Sequence, residues 1–260
     1  MKLFLIFIFI YINLNAFEMK EVLNLSLEIM EKYNEKDSIT KDKTIIKEEN
    51  DYQQIKSNSF VDKFINNKQC SQILNKFYYL NCYDYNLKSS KFVYYKIEKD
   101  KLKTNIEEKL QFYPDIDLTK KQSSEVSDYV KNQYHMNQIN IVPHEFFSHN
   151  IKALKSTYVN SNSISLFDML KNDKNSWLGL INYEKKLVNY LGEINVLVGI
   201  EYSKNPRVIG KNKISVPDGF WKIIFNDENN FKHCFYIENK EQENQKIDKY
   251  EIDCKKIILR

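Results

Sequence analysis

After Leu14 the sequence has no apolar run close to the roughly 18 residues needed to cross a bilayer, so no later membrane-spanning helix is expected. Cysteines are few. None of the four (Cys70, Cys82, Cys234, Cys254) has a partner at two-residue spacing, which excludes a zinc knuckle or a thioredoxin-like redox site. Charge of one sign is also lacking. Removing residues 1–16 takes away one lysine and no acid, leaving 38 basic against 35 acidic side chains, a balance of +3. That permits contact with a polyanion without predicting it, because nucleic-acid binding needs clustered positive charge. Glycine, at five residues in 260, is scarce beside abundant lysine and asparagine, a bias of coding rather than of function.

What is present begins with a separate unit. Met1-Lys2 gives a positive start, Leu3–Leu14 is almost wholly apolar, and Ala16 ends the segment on a small residue. Residues 1–16 therefore read as a cleavable secretory signal, with an uncleaved anchor as the alternative. The mature chain is expected to be secreted or periplasmic, with no stable membrane insertion after cleavage. In that compartment the cysteines read as disulfides, and four cysteines permit three pairings. Nearness in sequence suggests Cys70–Cys82 and Cys234–Cys254. Residues 17–59 are highly charged, with a partial helical stripe at Val22, Leu25 and Ile29, and read as a partly helical or flexible extension. A single globular domain is expected over residues 60–260.

Within that domain, Tyr78–Tyr85 and Lys91–Ile97 read as strands rich in tyrosine, phenylalanine and valine. Ser148–Tyr158 is expected to be helical with Ser148 as its cap, and Phe167–Lys174 has no clear assignment. Ser176–Leu191 carries a wide apolar face through Trp177, Leu180, Ile181, Leu187, Val188 and Leu191, and Gly192 stops it. The apolar run Ile194–Tyr202 reads as a strand covered on both faces, and Cys234–Glu238 as another strand. Strands grouped before and after helices predict an α+β domain with a mainly antiparallel central sheet flanked by helices.

The stretch Tyr134–Asn150 holds three of the four histidines, His135, His144 and His149, beside the carboxamides Asn137, Gln138 and Asn140. Its alternation predicts a short strand over Asn137–Val142, ended by Pro143. A polar strand face followed by a histidine-bearing turn suits the lining of a site. Amides and histidines decorating a surface strand end are the simpler account.

From Ser127-Asp128-Tyr129 to Pro143 the chain resembles the signature segment of the DNA/RNA non-specific endonucleases, the ββα-metal nucleases. That signature runs Asp-Arg-Gly-His, two mostly apolar residues, then Pro. Here the frame reads Asn137-Gln138-Ile139-Asn140-Ile141-Val142-Pro143, so it is kept while all four signature residues differ. Gln111–Asp115, the helix at Trp177, the strand Ile194–Tyr202 and Ile214–Pro217 with Phe220–Ile224 follow in the family's order. The resemblance spans roughly Cys70–Cys254 and implies a ββα-metal nuclease-like fold.

In the family, the resemblance implies, the signature His is the general base that deprotonates the attacking water. Mg²⁺, held by an Asn on the next helix and otherwise by water, stabilises charge on the phosphate and leaving oxygen. A downstream Glu orients metal-bound water, and the signature Arg helps with phosphate charge. Carried over, Asn140 stands at the base position and Gln138 at the Arg. Anchoring on Trp177 puts Asp173 at the metal Asn, Lys174 at the following Arg and Ile181 at the Glu. Sliding the frame brings in Glu184 or Asn175, but Glu184 then lies nearly a full turn too far. Asp173 keeps the means to hold Mg²⁺. An amide has no basic lone pair near neutral pH, and an aliphatic Ile181 cannot orient water.

Three readings follow. The first is a secreted nuclease homologue that has lost or nearly lost hydrolysis and keeps nucleic-acid or protein binding through its inherited surface, with Lys131 and Lys174 as candidate phosphate contacts. The second is an active Mg²⁺-dependent endonuclease with a rearranged site built on Asp173 and His144 or His135. The third is a periplasmic interaction or structural protein using its charged extension.

Overall fold

The computed structural model describes residues 53–108, 110–168, 170, 176–241 and 246–258. The expected signal segment, nearly all of the extension, Asp173 and Lys174 lie outside the described residues. Residues Gln54–Arg260 form one compact unit.

Its elements in chain order open with β1 (Gln72–Asn75), β2 (Tyr79–Asp84) and β3 (Ser89–Glu98). Then come α1 (Val126–Tyr129), β4 (Met136–Asn140), α2 (Ile151–Ser156), β5 (Ser163–Phe167) and the long helix α3 (Trp177–Leu191). The chain closes with β6 (Glu193–Glu201), β7 (Val208–Ile209), β8 (Ile214–Ser215), β9 (Gly219–Asn226), β10 (Phe231–Glu238) and α4 (Lys255–Ile258). Six strands build one sheet in the order β1-β2-β3-β6-β9-β10. Every neighbouring pair in it is antiparallel. This is the α+β, mainly antiparallel architecture the sequence predicts.

The run in β6 shows why this strand is largely apolar. Ile194, Val196, Val198 and Ile200 point into one core with β4, β5 and α3. Leu197 points into a second core on the opposite face with Trp221, Ile223 and Phe225 of β9. Alternate residues of a strand face opposite sides, so a sheet covered on both needs apolar side chains at nearly every position. The second core also holds both disulfides, which pair Cys70–Cys82 and Cys234–Cys254 as expected.

Close packing across β6 and β9 depends on one glycine. Gly199 sits opposite Trp221 in the register, and a Cβ there would overlap the indole. The indole has no room to retreat, since it packs edge-on against Phe64 at 5.4 Å and lies 5.8 Å from Phe92. Gly199→Ala is therefore expected to cost about 1–3 kcal/mol through overpacking. A fall in the urea midpoint at unchanged slope checks this.

Helix α3 forms where its periodicity predicts. Trp177, Leu180 and Val188 enter the first core, and Gly192 ends the helix with φ of 86°, a conformation glycine adopts without a side-chain penalty. Two local details differ from the sequence reading. Helix α2 is capped by Asn150, whose side-chain oxygen accepts from the backbone N–H groups of Lys152 and Ala153. Ser148 instead donates to the Glu145 carbonyl and caps nothing. In addition, Ser163–Phe167 is a strand, which the sequence reading did not assign.

The connection from β3 to β6, two adjacent strands, runs through residues 99–192. This long excursion carries α1, the β4–β5 ribbon, α2 and α3 on one face of the sheet. No helix among the described residues is long and apolar enough to cross a membrane.

Candidate functional site

The site is built on the β4–β5 ribbon and the start of α3, the ββα arrangement in which a strand pair is followed by a helix. Strand β4 pairs antiparallel with β5, setting Gln138 opposite Ser165 and Asn140 opposite Ser163. Met136 and Ile139 are buried, while Asn137, Gln138 and Asn140 are half-buried. Gln138 and Asn140, two residues apart, share one face of the strand.

Buried partners hold both amides. The Asn140 Nδ2 donates to the Thr157 carbonyl at 2.6 Å. That carbonyl can only accept, so the nitrogen end of the amide must face it. Gln138 Nε2 donates to Ser163 Oγ at 2.9 Å and to Asn160 Oδ1 at 3.2 Å. Asn160 uses its own Nδ2 toward the Ser124 carbonyl, which fixes its oxygen toward Gln138. Asn137 donates to Asp168 Oδ1 at 2.8 Å.

Beside these amides lies a cavity of about 300 Å³ lined by Gln138, Asn140, His144, Glu145, Trp177 and Ile181, among others. The structure thus brings Asn140 and Gln138 of the frame and Ile181 of α3 to the wall of one cavity. It adds His144, whose Nδ1 lies 3.5 Å from Glu145 Oε2 and whose ring packs 5.4 Å from that of Tyr158. His135 is elsewhere. It lines a neighbouring polar cleft of about 510 Å³ with Lys131, Asn137 and Asp168, which meets the first cavity only at Gln138. Both His135 and Lys131 adopt left-handed backbone, with φ of 53° and 50°.

Glu184 does not reach the cavity either. It points into the core, where its Oε1 lies 2.7 Å from Lys222 Nζ and Tyr95 donates to its Oε2 at 3.1 Å. Sequence reading missed this pair because the Lys222 partner lies on β9, far along the chain. The one available signal was the heptad-like spacing Leu180, Glu184, Val188, which puts a carboxylate on the buried face of α3.

Asp173, the residue expected to hold Mg²⁺, lies outside the described residues, which leaves the rest of the cavity wall to be compared with what the ion requires. This hard cation takes oxygen ligands in octahedral geometry. The cavity wall offers one carboxylate, Glu145, and one imidazole, His144, beside an aliphatic Ile181. Among the described residues no group of three or more histidine, cysteine, aspartate or glutamate side chains is placed to hold a metal ion.

His149 lies just beyond, on the way into α2. Burial holds its imidazole below the ordinary histidine value, Lys101 adds to this, and the Phe146 carbonyl at 3.3 Å from Nδ1 opposes it. A lowered folded pKa means that the native state binds fewer protons than the unfolded chain. Its contribution is intact above the unfolded value near pH ~6.5 and is lost as pH falls toward the folded value. His149→Asn is expected to flatten the fall in urea midpoint below about pH 6.5. An equally steep fall in the variant refutes the assignment.

Comparison with known proteins places this geometry. No curated protein matches the chain. Among solved structures it is similar to EndoG in the crystal structure of the EndoG/EndoGI complex, which concerns the mechanism of EndoG inhibition. The TM-score is 0.65 at 16% identity, covering 78% of this chain and 89% of the other. This likeness shows the fold. The family model for DNA/RNA non-specific endonucleases matches residues 56–258, nearly the whole compact unit. With its β4–β5–α3 arrangement and its signature frame at Asn137–Pro143, the chain belongs to the DNA/RNA non-specific endonuclease family.

Proposed function

We propose that this protein is an exported member of the family that does not hydrolyse phosphodiesters. The observation that carries this is Asn140. At the position of the general base it presents an amide, and the nitrogen of that amide is bound to the Thr157 carbonyl. Neither end of an amide is basic near neutral pH, so Asn140 cannot take a proton from water. Loss of a general base typically costs roughly 10²–10⁴-fold in rate. Ile181 on the same wall removes the carboxylate that would orient metal-bound water. Export is supported by the residue pattern of positions 1–16 and by two formed disulfides, which persist in oxidising compartments. Nucleic-acid contact, where it persists, falls to the surface outside the cavity. Lys131 in the neighbouring cleft is the candidate phosphate contact among the described residues, and its role predicts binding that weakens with added salt.

Plasmid nicking and RNA degradation, with Mg²⁺ or Mn²⁺ and an EDTA control, test the proposal. No EDTA-sensitive cleavage is expected. The second reading, an active enzyme with a rearranged site, is favoured by one observation: His144 lines the same cavity and has the Glu145 carboxylate beside it. Cleavage that disappears in His144→Ala supports that reading and overturns the first.

A further inference from the structure

The cavity at Asn140 has changed its polarity as well as its chemistry. Both bonds from the Gln138 nitrogen go to Ser163 and Asn160, so the atom this amide has left to offer is its carbonyl oxygen. Asn140 likewise turns its nitrogen to Thr157, which leaves its oxygen at the other end of the amide. No lysine or arginine lines the cavity among the described residues, and Glu145 is the side chain there that carries a full charge. A phosphodiester brings only acceptors and negative charge, and would meet more of the same. An alkyl ammonium or guanidinium brings what is missing: donors, positive charge, and an apolar stem to lie along Trp177, Leu178 and Ile181.

The surroundings extend this match. A groove of about 500 Å³ shares His144 and Glu145 with the cavity and, among the described residues, is also lined by Glu107, Glu108 and one cation, Lys185. Because the two share His144 and Glu145, a side chain seated in the cavity leaves its backbone beside the groove, which suits a chain segment better than a single small molecule. We propose that the cavity receives a lysine or arginine side chain from an extended basic segment of a partner protein, with the segment lying in the acidic groove. The proposal rests on the reading that the site no longer turns over phosphodiesters.

Fluorescence anisotropy of the mature protein with a dye-labelled Arg-Gly repeat peptide tests it. The native chain is expected to bind, and Glu145→Gln to weaken binding about tenfold or more, the effect of losing a charge-assisted contact. Ile181→Lys, which puts a positive charge into the cavity, is expected to abolish binding. Glu228→Gln, at an exposed position in the β9–β10 turn, is expected to leave it unchanged. No binding by the native chain, or equal loss in Glu145→Gln and Glu228→Gln, overturns the proposal. A labelled single-stranded oligonucleotide titrated without the peptide, which binds the native chain and is weakened by Ile181→Glu, does so too by placing phosphodiester in the cavity, and displacement of the peptide by spermidine at equal concentration likewise overturns the partner segment in favour of a free polyamine. Nicking by the same preparation separates the two ideas. Cleavage defeats the loss of hydrolysis, whereas absent cleavage with absent peptide binding defeats only the basic segment.

Discussion

Glu184→Ala is expected to destabilise the domain by about 3–5 kcal/mol, because it strands a buried ammonium without its partner. Glu184 and Lys222 have no exposed side-chain surface, and their charged atoms are 2.7 Å apart. Burial pushes the Glu184 carboxyl above the usual carboxylate range, although Lys222 and the Tyr95 hydroxyl pull it down. The opposing effects show how much of the pair's attraction goes to offset the loss of water around it. Lys222 also sits 4.4 Å from the centre of the Trp177 ring, so the pair ties α3 to β9 and, through Tyr95, to β3. For a domain of this size each kcal/mol shifts Tm by roughly 2–4 °C, so thermal unfolding of the oxidised protein reads the effect directly. The double variant Glu184→Leu with Lys222→Met removes both charges and is expected to recover much of the loss, since apolar replacement of a buried pair is often neutral. A Tm for Glu184→Ala within a few degrees of the native value sinks this account.

Asn140→His combined with Ile181→Glu is expected to give metal-dependent nicking well above that of the native chain, in which the proposed loss of hydrolysis predicts none. The Thr157 carbonyl that now accepts from Asn140 is equally able to accept from one imidazole nitrogen. Such a bond selects the tautomer whose other nitrogen keeps its lone pair for water. A restored base accounts for roughly 10²–10⁴-fold, and Glu at position 181, on the cavity wall, supplies the carboxylate for a hydrated cation. Residues that act as a unit are not additive, so Asn140→His alone is expected to give far less than the pair. Activity in the pair, abolished by EDTA, supports a family site lost by substitution. A folded but inert pair shows that the missing Arg at Gln138 or the metal ligand matters as much. Activity already present in the native chain turns attention to His144.

Much of this architecture is written in local pattern. The stripe from Trp177 to Leu191 with Gly192 behind it defines α3, and the largely apolar run in β6 announces a sheet covered on both faces. Both follow from periodicity, which depends only on neighbours in sequence. The disulfide partners are near in sequence, so short loops already favoured the pairing that forms. The frame ending at Pro143 singles out Gln138 and Asn140, and the spacing from Trp177 singles out Ile181, both from residues close together in sequence.

Other features depend on which distant residues meet. Ser-Ile-Ser-Leu-Phe carries little strand signal by itself, and it becomes β5 because β4 supplies the hydrogen bonds and a matching Ile139–Ile164 pair. Asn150 rather than Ser148 caps α2 because the chain completes a turn over His144–Phe146 before the helix begins. His135 and His144 lie almost equally far from Asn140 in sequence, yet only His144 reaches the cavity, since the turn after Pro143 folds it back toward α3. Glu184 meets Lys222 across the core for the same reason. Sequence by itself determined the family resemblance, the frame and which residues occupy it. Tertiary structure alone decided which of their atoms face the cavity, because hydrogen bonds to Thr157, Asn160 and Ser163 orient the amides and no local pattern encodes those partners.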